Sequence, residues 1–148
     1  ELQALVAPSS TAQPRRSVIG WDAGRLSMIL AVLEARCGIS FAGLDVYLNV
    51  AGGLRITEPA ADLAVASALL SAREDIALPA DTVVFGELSL SGALRAVGQM
   101  ENRLKEAEKL GFRTAIVPTR SKLSGPPEIN LRQMRDLIGF VGEVFGAE

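Results

Sequence analysis

Several side chains in this sequence have the types for chemistry, and each has a plainer reading beside it. Glu58 and Asp62 stand on either side of Pro59-Ala60-Ala61 and suggest a carboxylate pair. The plainer reading is two first-turn acids that complement the positive end of a helix. Cys37 is the single cysteine, so it has no partner within these residues. A reactive thiol needs an electropositive setting, and a small packing residue near a helix end is the better reading. Arg15-Arg16 offers a nucleic-acid contact, although adjacent arginines in a loop are more often solvated or paired. Trp21 reads as core or interface, because no other aromatic stands near it to build a stacking platform. There is no histidine at all. Ser-His-Asp and Cys-His machinery and histidine-ligated metal sites are thereby excluded. The phosphate-cradling GxxxxGK[ST] loop is also missing, so no ATP is expected to bind here by that route, and no cofactor or metal is expected in this chain.

The elements that must position these groups follow from periodicity. Leu2 to Ala7 and Ser17 to Trp21 read as strands, and Asp22 caps a helix over about 25–37. That helix puts Leu26, Ile29, Leu30 and Leu33 on one face, and Gly38 stops it. Phe41 to Ala51 alternates, with Leu44, Val46, Leu48 and Val50 on one side, as a half-buried strand does. Pro59 starts a helix whose stretch from Leu63 to Ala72 is uncharged and alanine-rich, which predicts burial on most sides against a sheet. Thr82 to Leu88 reads as one apolar strand, turned back by Leu90-Ser91-Gly92 into Ala93 to Val97. A charged helix from Met100 to Leu110, a strand at Thr114 to Val117 and a loop at Ser121 to Pro127 come next. An edge strand at Ile129 to Met134 and a helix with Leu137, Ile138, Val141, Val144 and Phe145 on its apolar face complete the series. Alternating helices and strands imply an α/β sandwich.

The 148 residues fit one domain, and 49% hydrophobic with 22% charged residues is an ordinary globular balance. A net charge of −2 argues against a strong electrostatic nucleic-acid binder, while leaving room for a local basic patch. No secretory pattern opens the chain and no apolar run reaches spanning length, so no membrane partner is expected. With the lone cysteine, that makes the cytoplasm the expected compartment.

The order of elements resembles the proteolytic domain of Lon, most firmly from Val46 to Pro118. The resemblance implies a Lon-type, ribosomal protein S5 domain 2-like α/β sandwich over residues 1–148. Lon-type proteases place a serine after a proline in a Lys-Asp-Gly-Pro-Ser-Ala-Gly pattern, where this chain reads Ile56-Thr57-Glu58-Pro59-Ala60-Ala61-Asp62. The nucleophile position is therefore Ala60. The family's lysine base lies in a Gly-Gly-Leu-Lys-Glu-Lys pattern, matched here by Gly98-Gln99-Met100-Glu101-Asn102-Arg103. Gly86-Glu87 and Gly92 set the register that places Arg103 at the lysine. Alanine has no hydroxyl to attack a carbonyl, and a guanidinium stays protonated at neutral pH, so a Ser-Lys dyad cannot form there.

Long runs resemble the RadA (Sms) family of bacterial DNA repair proteins more closely still: Leu48 through Ala64, Ile29 through Gly38, and Phe85-Gly86-Glu87-Leu88. That resemblance implies a C-terminal domain without enzymatic activity of its own, behind an upstream zinc finger and RecA-like ATPase. ATP, magnesium and zinc would belong to those upstream parts. It further implies a hexameric, DNA-dependent motor for branch migration, with DNA, further copies of itself and a recombinase as candidate partners. In the inferred fold Arg55, Arg95, Arg103 and Lys105 lie near the old active-site side. They are candidate DNA contacts along a ring channel, or they pair with Glu58, Glu101 and Glu106. Two other functions are carried alongside: a Lon-like Ser/Lys peptidase with displaced catalytic residues, and the Lon-like domain of a magnesium-chelatase-related ATPase.

Overall fold

The computed structural model describes residues 1–119, 123 and 127–146. The elements run β1 (Leu2–Pro8), β2 (Arg16–Ile19), α1 (Ala23–Cys37), β3 (Leu44–Val50), α2 (Asp62–Glu74), β4 (Thr82–Val84), β5 (Glu87–Leu88), β6 (Leu94–Arg95), α3 (Met100–Lys109), β7 (Thr114–Pro118), β8 (Asn130–Met134) and α4 (Leu137–Phe145). The fold class is α/β, as the alternation implies.

One sheet has the order β1-β3-β2, with β1 antiparallel and β2 parallel to the central strand. Val46, Leu48 and Val50 of β3 are buried at the period of two that the sequence displays. A second sheet, β4-β7-β8, is wholly parallel, and β5 pairs with β6 in a small hairpin. The larger core lies between the first sheet and helices α1, α2 and α4, and it also receives Ile116 of β7. A smaller core joins Met100, Leu104 and Ala107 of α3 to Ala115, Val117 and Ile129. Alternate residues of β7 thus feed two cores, so the parallel sheet is covered on both faces, as parallel sheets are.

α1 is capped at Asp22, whose side chain accepts from the Arg25 N–H, and it ends at Gly38 in the left-handed region. α2 enters through a 3-10 turn at Pro59–Ala61. Leu63, Val65, Ala66, Ser67, Leu69 and Leu70 are then buried, the enclosure expected of an uncharged alanine-rich helix. Trp21 lies in the larger core.

Some expectations are corrected. Thr82 to Leu88 is not one strand: the chain leaves the parallel sheet at Phe85-Gly86, and Glu87–Leu88 joins the hairpin. The cause is α2. The Gly86 N–H donates to the Ala60 carbonyl and the Gly86 carbonyl accepts from the Leu63 N–H, so the turn into α2 takes the place of a neighbouring strand. On α4 the buried residues are Leu137, Phe140 and Phe145, with Val141 and Val144 partly buried, whereas Ile138 is exposed. Val32 replaces Leu30 among the fully buried residues of α1. Apart from Leu123 and Pro127, the loop expected over Ser121 to Pro127 lies outside the described residues.

Candidate functional site

The start of α2, the β4 edge and the start of α3 enclose a cavity of about 630 Å³. Ala60 and Arg103 both line it, so the two positions that the Lon pattern assigns to serine and lysine face one space. Ala60 is buried and Arg103 is about a quarter exposed. Gln99 in the left-handed region opens α3, and its carbonyl accepts from the Arg103 N–H. The Arg103 side chain then folds back. Nε donates to the Gly98 carbonyl at 2.8 Å, Nη2 donates to Glu58 Oε2 at 2.7 Å, and the guanidinium lies 6.0 Å from the centre of the Phe85 ring. Gly98, Glu58 and Phe85 together hold this cation at the mouth of the cavity.

Glu58 and Asp62 are not a carboxylate pair. Glu58 pairs with Arg103, and its side chain does not cap the following turn. Asp62 does sit in the first turn of α2, but its side chain is wholly buried. It accepts from Arg25 Nε at 2.6 Å and Arg25 Nη2 at 2.5 Å, and from the Leu88 N–H at 2.9 Å. The hydrogen bonds to Asp62 raise the Arg25 pKa further above its ordinary value. One carboxylate therefore fastens α1, α2 and β5 together, a role hidden by the 37-residue separation of the partners. The available signal was a charge at the head of an otherwise apolar helix.

The other basic candidates do not gather at the cavity. Among Arg55, Arg95, Arg103 and Lys105, only Arg103 lines it. Arg95 approaches Glu87 at 3.8 Å on the hairpin, while Arg55 and Lys105 are exposed. Lys105 follows Arg103 by two helical positions, which turns it to another side of α3. Arg16 donates to the carbonyls of Leu44 and Phe41, and the Arg15 N–H donates to Asp45, so this pair of arginines pins the entry to β3. That Arg15 hydrogen bond, first among the causes, holds the Asp45 carboxyl below its usual range. Cys37 is half-buried rather than fully buried. Burial, and secondarily Asp136, pushes its thiol pKa up. Among the described residues no cluster of His, Cys, Asp and Glu side chains could hold a metal ion, and no helix is long and apolar enough to cross a membrane.

Ser67 and Ser71 also line the cavity, but their hydroxyls donate to the carbonyls of Leu63 and Ile76. Among the described residues no lysine lines it.

Comparison with known proteins adds the family. The chain is 69% identical over 121 residues to the DNA repair protein RadA of Brucella abortus, a match covering 82% of this chain and 26% of that protein. It is 49% identical over 141 residues to RadA of Rickettsia prowazekii, covering 93% of this chain and 32% of the relative. It is 54% identical over 118 residues to RadA of Synechocystis, covering 80% of this chain and 23% of the relative. The chain thus spans about a quarter to a third of the length of the curated relatives it matches. The family model described as subunit ChlI of Mg-chelatase matches residues 24–121. That span holds nearly all of α1, the α2 entry, α3 and the cavity lining apart from Glu1 and Leu2. This chain, RadA-like along most of its length, belongs to the ChlI family.

Proposed function

We propose that this chain is a Lon-like module without hydrolytic activity, serving assembly and DNA handling in a RadA-type DNA-dependent ATPase of recombinational repair. The observation that carries the reading is the pairing of Ala60 with Arg103 across one cavity, Arg103 being engaged by Glu58 and Gly98. The nucleophile's place holds a methyl group, and the base's place holds a cation that does not deprotonate at neutral pH. ATP, magnesium and zinc belong, on this reading, to other parts of a longer protein, since no phosphate loop or cysteine cluster occurs in these residues. The module works in the cytoplasm, in a hexameric ring, with DNA and a recombinase as partners. A closed ring requires two different surface patches of each copy to meet.

The competing peptidase reading needs another serine and base at the cavity. Ser67 and Ser71 are bonded to backbone carbonyls and no described lysine lines the cavity, which counts against it. The ChlI-family match is compatible with either ATPase setting, and the long RadA identities favour the repair protein. Incubation with casein and with short fluorogenic peptides tests the reading. No turnover above buffer is expected. Turnover that is abolished by Ser67→Ala or Ser71→Ala would overturn it.

A further inference from the structure

β4 is the outer strand of its sheet, and its free side opens on the cavity. The Phe85 N–H donates inward to the Ile116 carbonyl of β7 at 3.0 Å. Backbone groups of successive strand residues point to opposite sides, so the N–H and C=O of Val84 point outward. The next outward pair, on Gly86, is already taken by Ala60 and Leu63. The open edge is thus short and sharply bounded, with the Val84 pair and the Thr82 carbonyl at its centre.

Two hollows flank this edge. The cavity described above lies on the α2 side, against Ala64 and Ala68. A second hollow of about 420 Å³ lies on the α3 side, against Ala107, Leu110 and Phe112. Val84 packs in the larger core and Val83 and Phe85 in the smaller one. Val83, Phe85 and Phe112 line both hollows, so the two meet around the β4 edge, the first reaching toward α2 and the second toward α3. Arg103 lines both. A compact small molecule fills one hollow and leaves the edge unpaired. An extended chain satisfies the edge and sends alternate side chains into the two hollows.

We propose that this edge receives an extended segment of a partner polypeptide, added as a strand beside β4, with alternating apolar side chains and one carboxylate against Arg103. The carboxylate takes over the guanidinium from Glu58, which is mostly exposed and returns to water without a desolvation cost. The proposal rests on the reading of the cavity as non-hydrolytic, since a bound segment must survive there. The turn at Ala60 limits the pairing to a few residues, which points to a weak, exchangeable contact in the micromolar to millimolar range.

The probe is an acetylated, amidated octapeptide alternating valine and alanine with one central glutamate, compared with the same peptide N-methylated at alternate amides. Titrated into the 148-residue chain, the first is expected to shift the backbone amide resonances of Thr82 to Phe85 and to slow hydrogen exchange at Val84. N-methylation is expected to weaken binding by about tenfold or more, because the peptide then loses the N–H groups that would donate to the Thr82 and Val84 carbonyls. Ala68→Leu, which fills the α2-side hollow, should weaken it similarly while leaving the circular dichroism spectrum unchanged. If that variant does not fold, the N-methyl comparison on the unmodified chain stands by itself. Equal binding of the two peptides, or no shift at Thr82 to Phe85 at millimolar peptide, overturns the strand-addition proposal alone. Cleavage of the probe overturns the non-hydrolytic reading instead.

Discussion

Asp62 has the most demanding position of any charged group among the described residues. Its carboxylate is fully buried and is held by Nε and Nη2 of Arg25 and by the Leu88 N–H. Arg25 is about a quarter exposed, but removing it leaves the buried Asp62 carboxylate without its cation, so Arg25→Ala should cost up to about 3–5 kcal/mol in urea unfolding. The double change Arg25→Met with Asp62→Leu should recover most of that. It would leave the Leu88 N–H without its acceptor, a residual of about 1–3 kcal/mol. An Arg25→Ala variant as stable as its parent would show that the pair is dispensable. Cys37 makes a second expectation at this scale. Burial raises its folded pKa above the unfolded value, so the thiol keeps its proton longer in the native state. The associated stability is complete below the ordinary thiol pKa and is lost as pH rises through the raised one. Reaction with a disulfide reagent should therefore be slower than for a free cysteine at mildly alkaline pH, and the difference should vanish in denaturant. Native reactivity equal to the denatured rate would contradict the packing role.

The elements meet at a few crowded junctions, one of them between β2 and α1. Gly20 has φ +82°, and a Cβ built there would lie 2.5 Å from the Leu54 carbonyl oxygen and 2.8 Å from the Val50 Cβ. The Gly20 carbonyl also accepts from the Ile56 N–H, which ties this bend to the segment leading toward Pro59. Gly20→Ala should lose about 1–2 kcal/mol from the left-handed conformation alone, and more from the clash with backbone. Calorimetry should place its melting temperature clearly below that of Gly52→Ala. Gly52 has a similar φ of +82°, but a Cβ there meets nothing within 4 Å. Equal melting temperatures for the two variants would mean that the junction relaxes freely. The same logic explains why β4 and β5 are separate: the α2 entry sits on the backbone of Gly86, and a continuous strand would collide with it.

At the scale of the whole molecule, a net charge of −2 leaves little general attraction for nucleic acid, so the DNA handling proposed for this module would rely on local groups and on multiple copies. Phosphate contacts by Arg55, Arg95 and Lys105 would be independent of base sequence and would weaken steeply with salt. Replacing all three by alanine in the full-length protein should make the slope of log affinity against log salt shallower. The change should reach about one unit for each arginine or lysine that had neutralised a phosphate. The sedimentation behaviour of the protein should stay unchanged. An unaltered slope would overturn the assignment of phosphate contacts to these three residues. Arg103 is kept out of that variant because its pairing with Glu58 is part of the cavity.

Much of this architecture was written locally. The apolar face of α1, the alternation of β3, the enclosed α2 and the stops at Gly38 and Gly111 follow from period, propensity and cap chemistry within a few residues. The chemistry open to positions 60 and 103 was equally local, because a methyl group and a guanidinium set it by residue type alone. Tertiary structure alone decided the rest. It joined Arg25 to Asp62 across 37 residues and Arg103 to Glu58 across 45, since an ion pair depends on spatial approach and leaves no trace in local pattern. It cut an apparently continuous apolar strand at Gly86, because burial from two different cores yields one unbroken apolar run. It also left Val84 at an unpaired edge: alternation in sequence tells which way a side chain faces, but not whether another strand lies alongside.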